Sequence, residues 1–170
     1  MNGRQIILAV DLGTSGLKVA LIDVQGNVLG WQSEPISLIM TPDGGCEQSP
    51  DQWWTTFLCA ADRLLDALPD HRKHIMAICC STQGEATIPI DRQGQVLSNA
   101  MLWMDMRGAI NLRRQLSGLV NIDGAGLTKL LRFVRLTGGA PSMTGKDPAG
   151  HILWIRDCRP QVYEQTYKFL

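Results

Sequence analysis

The chain has 170 residues, 45% hydrophobic and 19% charged, with sixteen Lys and Arg against sixteen Asp and Glu. The neutral balance excludes a global pull onto nucleic acid or an anionic membrane. The apolar fraction excludes an unfolded tail, and no apolar run approaches the roughly 20 residues of a membrane span. The length suits one domain with a real core. Residues 1–70 carry three basic and nine acidic side chains and residues 71–170 thirteen and seven, an imbalance that a solvated surface explains. Cys46, Cys59, Cys79, Cys80 and Cys158 form no CxxC pair and no zinc-ligand spacing with the three histidines, which predicts reduced thiols. The start MNGRQIILAV meets Asp11 too early for a secretory apolar region, so a cytoplasmic setting is expected.

Residues 5–10, 17–23 and 27–32 are short β-prone runs separated by DLGTSG and a Val24-Gln25-Gly26 turn, which predicts an antiparallel meander. The first run is apolar throughout, as in a central strand buried on both faces. Ser49, Pro50 and Gln52 form a capping-box start for a helix. Its apolar face is expected to hold Trp54, Phe57, Leu58, Ala61, Leu64, Leu65 and Leu68, with Pro69 ending the run. His71 and His74 fall in an exposed loop. Residues 75–80 then predict an inner strand parallel to an earlier one, with Cys79 and Cys80 used for packing.

Residues 87–90 and 99–103 predict strands about the turn 91–94. Residues 105–117 and 127–137 have helical periodicity, with Arg113, Arg114, Arg132 and Arg135 on outer faces. After a loop over 138–146, Asp147 and Pro148 supply a cap and first position for a helix through Asp157 that contains His151, for which no catalytic role is expected. The order predicts a mixed α/β domain and argues against a Rossmann fold, which needs a crossover helix directly after the first strand.

The chemistry concentrates in Asp11-Leu12-Gly13-Thr14-Ser15-Gly16-Leu17-Lys18. Glycines let backbone N–H groups approach phosphate oxygens, Thr14 and Ser15 hydroxyls add donors, Asp11 can hold a magnesium-bound water, and Lys18 can offset phosphate charge. A tight hairpin with Asp11 accepting turn N–H bonds is the alternative. A Walker A loop is excluded, because Gly145-Lys146 is followed by Asp147 and the required earlier glycine is Ala140. Gln83 and Glu85 are expected to end a buried strand, where α/β proteins expose ligand groups, and such paired donors and acceptors suit a polyol. Trp103 offers an apolar face to a sugar or fills a core, and Asp105 with Arg107 is either a site pair or a surface ion pair.

The segment 11–23 resembles the first phosphate motif of the actin and sugar kinase superfamily. Three further segments resemble the FGGY carbohydrate kinases: Glu47-Gln48-Ser49-Pro50-Asp51-Gln52-Trp53-Trp54, Ser81-Thr82-Gln83, and Leu102-Trp103-Met104-Asp105-Met106-Arg107. The match is nearest to the xylulokinase-like branch, although Gln83-Gly84-Glu85 stands where that branch usually has Gln-Met-His-Gly and residues 138–150 read as an extra element.

The resemblance implies an actin-like (ribonuclease H-like) fold in which residues 1–170 are a partial first domain, with the second, nucleotide-binding domain absent. It implies ATP and Mg2+ as cofactors and a small-molecule sugar as substrate, phosphorylated at a hydroxyl and expected to be a ketopentose such as xylulose. Phosphate or metal roles fall on Asp11, Gly13, Thr14, Ser15 and Lys18, and sugar contacts on Gln83, Gly84, Glu85, Trp103, Asp105 and Arg107. The catalytic base is expected beyond Leu170, so residues 1–170 alone are expected to be inactive. An unfinished domain would expose apolar surface and tend to pair, which makes a homodimer one expectation. A non-catalytic ligand-binding protein on the same half-fold is the alternative.

Overall fold

The computed structural model describes residues 5–122, 124–140 and 142–170; residues 1–4 of the N-terminal segment and Pro141 of the 138–146 loop lie outside them. The elements in chain order are β1 (Ile6–Leu12), β2 (Gly16–Asp23), β3 (Val28–Pro35), β4 (Ile39–Met40), β5 (Cys46–Gln48), α1 (Pro50–Ala67), a 3₁₀ turn (Pro69–His74), β6 (Ile75–Thr82), β7 (Pro89–Ile90), β8 (Ala100–Met101), α2 (Ala109–Leu116), β9 (Asn121–Ile122), β10 (Ala125–Gly126), α3 (Leu127–Thr137), α4 (Pro148–Cys158), α5 (Pro160–Gln165) and β11 (Lys168–Phe169). They divide into two compact units, one running to Leu38 and including Gln48–Gly84, the other comprising Ile39–Glu47 and Glu85–Leu170.

The first unit is a four-stranded sheet in the order β3-β2-β1-β6. The meander is antiparallel and β6 joins β1 in parallel, with Val10 opposite Cys80 and Leu12 opposite Thr82. Strand alternation sends Ile6, Leu8 and Val10 of β1 and Leu17, Val19 and Leu21 of β2 to one face, where they bury with Ile36 against Ala60, Ala61 and Leu64 of α1. Only that face of β1 is fully buried; Ile7 and Ala9 on the other are partly covered, so the expected two-sided burial is not found among the described residues.

β6 also differs from expectation. Among the described residues it lies at the edge of the sheet, with Met76 60% and Ile78 58% exposed. The cause is the placement of α1, which packs on β2 and β3 and leaves the β6 side of the sheet open. Cys79 and Cys80 are accordingly exposed rather than packed. His71 and His74 lie in the 3₁₀ turn and are half-buried.

Ser49 caps α1, its Oγ accepting the Gln52 N–H at 3.3 Å. The reciprocal half of the capping box does not form, because the Gln52 amide bonds Ser37 instead, accepting from its N–H and donating to its hydroxyl at 3.2 Å each. The inward face of α1 is rotated from the expected one: Trp53 packs against the core beside Phe57, whereas Trp54 is 63% exposed and Leu58 also points out.

In the second unit α2 begins at Ala109, later than its periodicity suggests, because residues 105–108 turn around a buried side-chain cluster. Gly108 and Gly150 allow α2 and α4 to meet closely; a Cβ on Gly108 would come within 2.4 Å of the Gly150 carbonyl carbon. α4 starts at Pro148 as expected, but the Asp147 carboxylate accepts from Ser142 N–H at 3.2 Å rather than capping the helix. Arg132 and Arg135 are exposed on α3, and so are Leu131 and Leu136; α3 buries none of its described residues. The predicted strands about the Asp91–Gly94 turn are present but short, joined through β7, β8 and the bridges Thr87 to Met101 and Ile90 to Val96. No helix among the described residues is long and apolar enough to cross a membrane.

The central place of Leu64 gives a direct test of this packing. Leu64→Ala is expected to lower the unfolding free energy by about 2–5 kcal/mol in urea denaturation. A loss below about 1 kcal/mol would show that α1 does not cover β1 and β2 in this way.

Candidate functional site

The phosphate-type hairpin is built by β1, its turn and β2. The turn closes through Gly13 N–H donating to Gly16 O at 3.0 Å. Gly16 has no room for a side chain, since a Cβ would lie 2.8 Å from the Glu34 carbonyl oxygen of β3. Antiparallel register sets Asp11 directly opposite Lys18, and Lys18 Nζ donates to Asp11 Oδ2 at 3.2 Å, with both side chains more than half exposed. Asp11 therefore faces Lys18 rather than the turn amides, unlike the alternative weighed from sequence. Ser15 is exposed and Thr14 half-buried.

The end of β6 is fastened to this hairpin. Gln83 N–H donates to Leu12 O at 2.8 Å, continuing the strand pairing past Thr82. Thr14 Oγ1 donates to Gln83 Oε1 at 2.8 Å, Gln83 Nε2 to Gln48 Oε1 at 2.8 Å, and Gln48 Nε2 to Thr14 O at 2.7 Å. Trp53 Nε1 completes the set by donating to Gln48 Oε1 at 3.1 Å. Gly84 follows, exposed, and ends the first unit. Glu85 opens the second with φ 56°, a left-handed conformation that costs a non-glycine residue on the order of 1 kcal/mol.

The second unit contains a buried ion cluster. Arg107 Nη2 lies 2.6 Å from both Asp105 Oδ2 and Glu47 Oε1, and Arg107 Nε is 3.1 Å from each Asp105 oxygen. Asp105 also accepts from Cys46 N–H and Arg107 N–H at 3.0 Å each. Asn99 Nδ2 donates to Glu47 Oε2 at 3.1 Å, Arg159 Nη2 approaches Glu47 Oε1 at 3.4 Å, and the Trp154 ring lies under Arg107 at 4.1 Å. Burial works against the Arg107 charge, but Asp105 and Glu47 more than offset it and hold its pKa above the ordinary value. Burial also pushes the neighbouring Cys46 thiol up.

Asp105 and Arg107 are thus not a surface pair; they are engaged by each other, by Glu47 and by the Cys46 amide, with Asp43 Oδ2 3.9 Å from Arg107 Nη1. Trp103, on the same segment, is 41% exposed, with Lys146 Nζ 6.0 Å from its ring centre. His151 of α4 is fully buried and spans Asp105 O at 3.2 Å and Thr87 Oγ1 at 3.0 Å. The carbonyl can only accept, so Nε2 carries the proton and Nδ1 accepts the Thr87 hydroxyl. Burial lowers the His151 pKa below its ordinary value.

Residues 6–170 match the FGGY family of carbohydrate kinases, N-terminal domain. The chain belongs to this family. The xylulose kinase of Escherichia coli (strain K12) is 30% identical over 165 residues, covering 96% of this chain and 31% of that protein. Glycerol kinase 2 of Sulfolobus acidocaldarius is 30% identical over 169 residues, covering 97% of this chain and 31% of that protein. A crystal structure of a xylulose kinase from Brucella ovis superposes with TM-score 0.84 at 25% identity over 98% of this chain and 32% of its own. The ligand-bound xylulose kinase from Lactobacillus acidophilus superposes at 0.78 with 22% identity over 97% and 31%. The chain therefore spans about a third of these relatives, and its fold is the actin-like one of the sugar kinases.

Within this family fold the first unit gathers Asp11, Gly13, Thr14, Ser15 and Lys18 with Gln83 and Gly84, and the second gathers Trp103, Asp105 and Arg107. Gln48, Glu47 and His151 are the site-shaping residues that sequence reasoning left without a role. The first two stand inside a quoted motif; nothing in the spacing marked the third. Asp11 offers an accessible carboxylate next to the turn at 13–16, a hard oxygen donor of the kind that suits a metal-bound water, and among the described residues no cluster of three or more His, Cys, Asp or Glu is placed to hold a metal ion.

Arg107→Leu leaves Asp105 and Glu47 buried without their cation and is expected to lower stability by about 3–5 kcal/mol in denaturant titration; a cost under about 1 kcal/mol would refute the cluster. His151 supplies a pH signature. Burial lowers its folded-state pKa below the value near 6.5 at which it protonates in the unfolded chain. The unfolded state then binds more protons, so stability is full above that pH and falls below it, by up to about 1.4 kcal/mol per pH unit. Urea titrations at pH 7.5, 6.0 and 5.0 are expected to show this fall and its loss in His151→Gln; identical slopes in both proteins would remove His151 as the cause.

Proposed function

We propose that these residues form the front part of an ATP-dependent sugar kinase that phosphorylates a sugar hydroxyl, with a ketopentose such as xylulose as substrate. The observation that carries this reading is the hairpin with Asp11 facing Lys18 and Thr14 bonded to Gln83, in a chain of the carbohydrate kinase family. In this reading residues 1–170 are a partial N-terminal domain in a cytoplasmic enzyme. The catalytic base and the second, nucleotide-binding domain belong to sequence outside them, and these residues alone do not turn over.

ATP, when bound, supplies the phosphoryl group, and Mg2+ draws charge from its oxygens. The Asp11 carboxylate would hold a metal-bound water. Gly13, Thr14 and Ser15 would meet the phosphates through backbone N–H groups and hydroxyls, and Lys18 would balance their charge. Sugar binding is assigned to Gln83, Gly84, Glu85 and the exposed ring of Trp103. Asp105 and Arg107, whose polar atoms are engaged, would serve the sugar by fixing the segment that carries Trp103.

Asp11→Ala in the enzyme as it occurs naturally is expected to reduce turnover with D-xylulose about a hundredfold or more. Sugar affinity is expected to stay within about twofold, since Asp11 acts on phosphate. A coupled assay of ADP release with parallel sugar titrations reads both quantities, and unchanged turnover would remove Asp11 from the mechanism.

A further inference from the structure

Gln48 is completely buried, with 0% exposure, although its side chain is an amide. Its orientation is forced. The Thr14 carbonyl only accepts, so Gln48 must turn Nε2 toward it, at 2.7 Å. The Trp53 indole only donates, so Gln48 Oε1 must face it, at 3.1 Å. Oε1 then receives Gln83 Nε2 at 2.8 Å, which in turn leaves Gln83 Oε1 to accept the Thr14 hydroxyl at 2.8 Å. Two groups that cannot exchange roles thus set the direction of both amides, in a closed ring joining the hairpin turn, the start of α1 and the end of β6.

We propose that Gln48 is a positioning residue that couples the hairpin to the end of β6. This rests on the reading that the hairpin holds phosphate and Gln83 meets the sugar. A phosphate oxygen at the turn competes for the Thr14 hydroxyl and releases Gln83 Oε1. Gln48 still grips Gln83 through Nε2, so the amide cannot rotate, and the released oxygen is presented as an acceptor to a sugar hydroxyl. Phosphate binding thereby tightens sugar binding, and by linkage the sugar tightens phosphate binding equally. Gln48 touches neither ligand.

Calorimetric titration of D-xylulose with and without saturating Mg·ADP tests the coupling in the full chain. Mg·ADP is expected to tighten xylulose at least about fivefold in the unaltered protein. In Gln48→Met, which keeps the shape and removes the amide, the ratio is expected to fall to near one. An undiminished ratio in a folded Gln48→Met protein overturns the proposal, as does a ratio of one in the unaltered protein with both ligands bound. If Gln48→Met does not fold, Thr14→Val, which removes the hydroxyl that phosphate must take from Gln83 Oε1, is expected to bring the ratio near one, and an undiminished ratio there overturns the coupling.

Absence of binding by either ligand would overturn the phosphate and sugar reading itself, and the ring is then decided without ligand. Thr14→Val is expected to shift the Trp53 indole N–H resonance in a ¹⁵N-resolved spectrum while Gln48 is present and not in the Gln48→Met background. An indole resonance indifferent to Thr14→Val in the unaltered background overturns the coupling.

Discussion

The parallel pairing of β1 with β6 is the constraint on which the candidate phosphate site depends. β1 is short and central, bonded on one side to the meander and on the other to a strand more than sixty residues later in the chain. Residue-by-residue register between the two strands runs to Leu12 and Thr82, and the next amide, that of Gln83, still finds the Leu12 carbonyl. That last bond brings Gln83 beside the turn at 13–16, where the Thr14 hydroxyl and Gln48 hold its side chain. The intervening helix serves this purpose as well as stability: α1 is buried through Ala60, Ala61 and Leu64, and its first turn places Trp53 against Gln48.

The second unit solves a different problem with charge. Three ionised groups are buried at Glu47, Asp105 and Arg107, and each costs several kcal/mol to desolvate before any pairing is counted. What the cluster secures is geometry. Asp105 is held by the amides of Cys46 and Arg107 and by the guanidinium, and its carbonyl is held by His151, so every polar direction around it is occupied. A segment fixed this firmly carries Trp103 on a rigid base, which suits the sugar contact proposed for its ring.

Much of this was legible in the residues. The glycine-bearing turns marked the meander, Ser49 and Pro50 marked the start of α1, and the order of quoted motifs gave the family. What could not be read has a physical cause in each case. An apolar run such as Ile75–Cys80 looks the same whether its faces are covered or open, and only the placement of α1 over β2 and β3 decides. Either of the adjacent tryptophans at 53 and 54 could be the inward one from sequence, and the indole partner that selects Trp53 is a side chain from β5. An Asp and an Arg two residues apart have one spacing, on a surface or in a core. Their burial here follows from Glu47, which lies far away in sequence.

The two side-chain networks differ in charge in a way that their settings explain. A carboxylate inside the Thr14–Gln48–Gln83 ring would place negative charge beside the turn proposed to hold phosphate and would raise the cost of bringing an anion there. Amides avoid this. They supply both donor and acceptor, fix direction through partners whose roles cannot change, and add no net charge. In the other unit the Arg-centred cluster uses the stronger, forked bonds that charge allows. Gln48 and Glu47 are neighbours in sequence, and the change from neutral to ionised side chain between them coincides with the passage of the chain from one unit to the other.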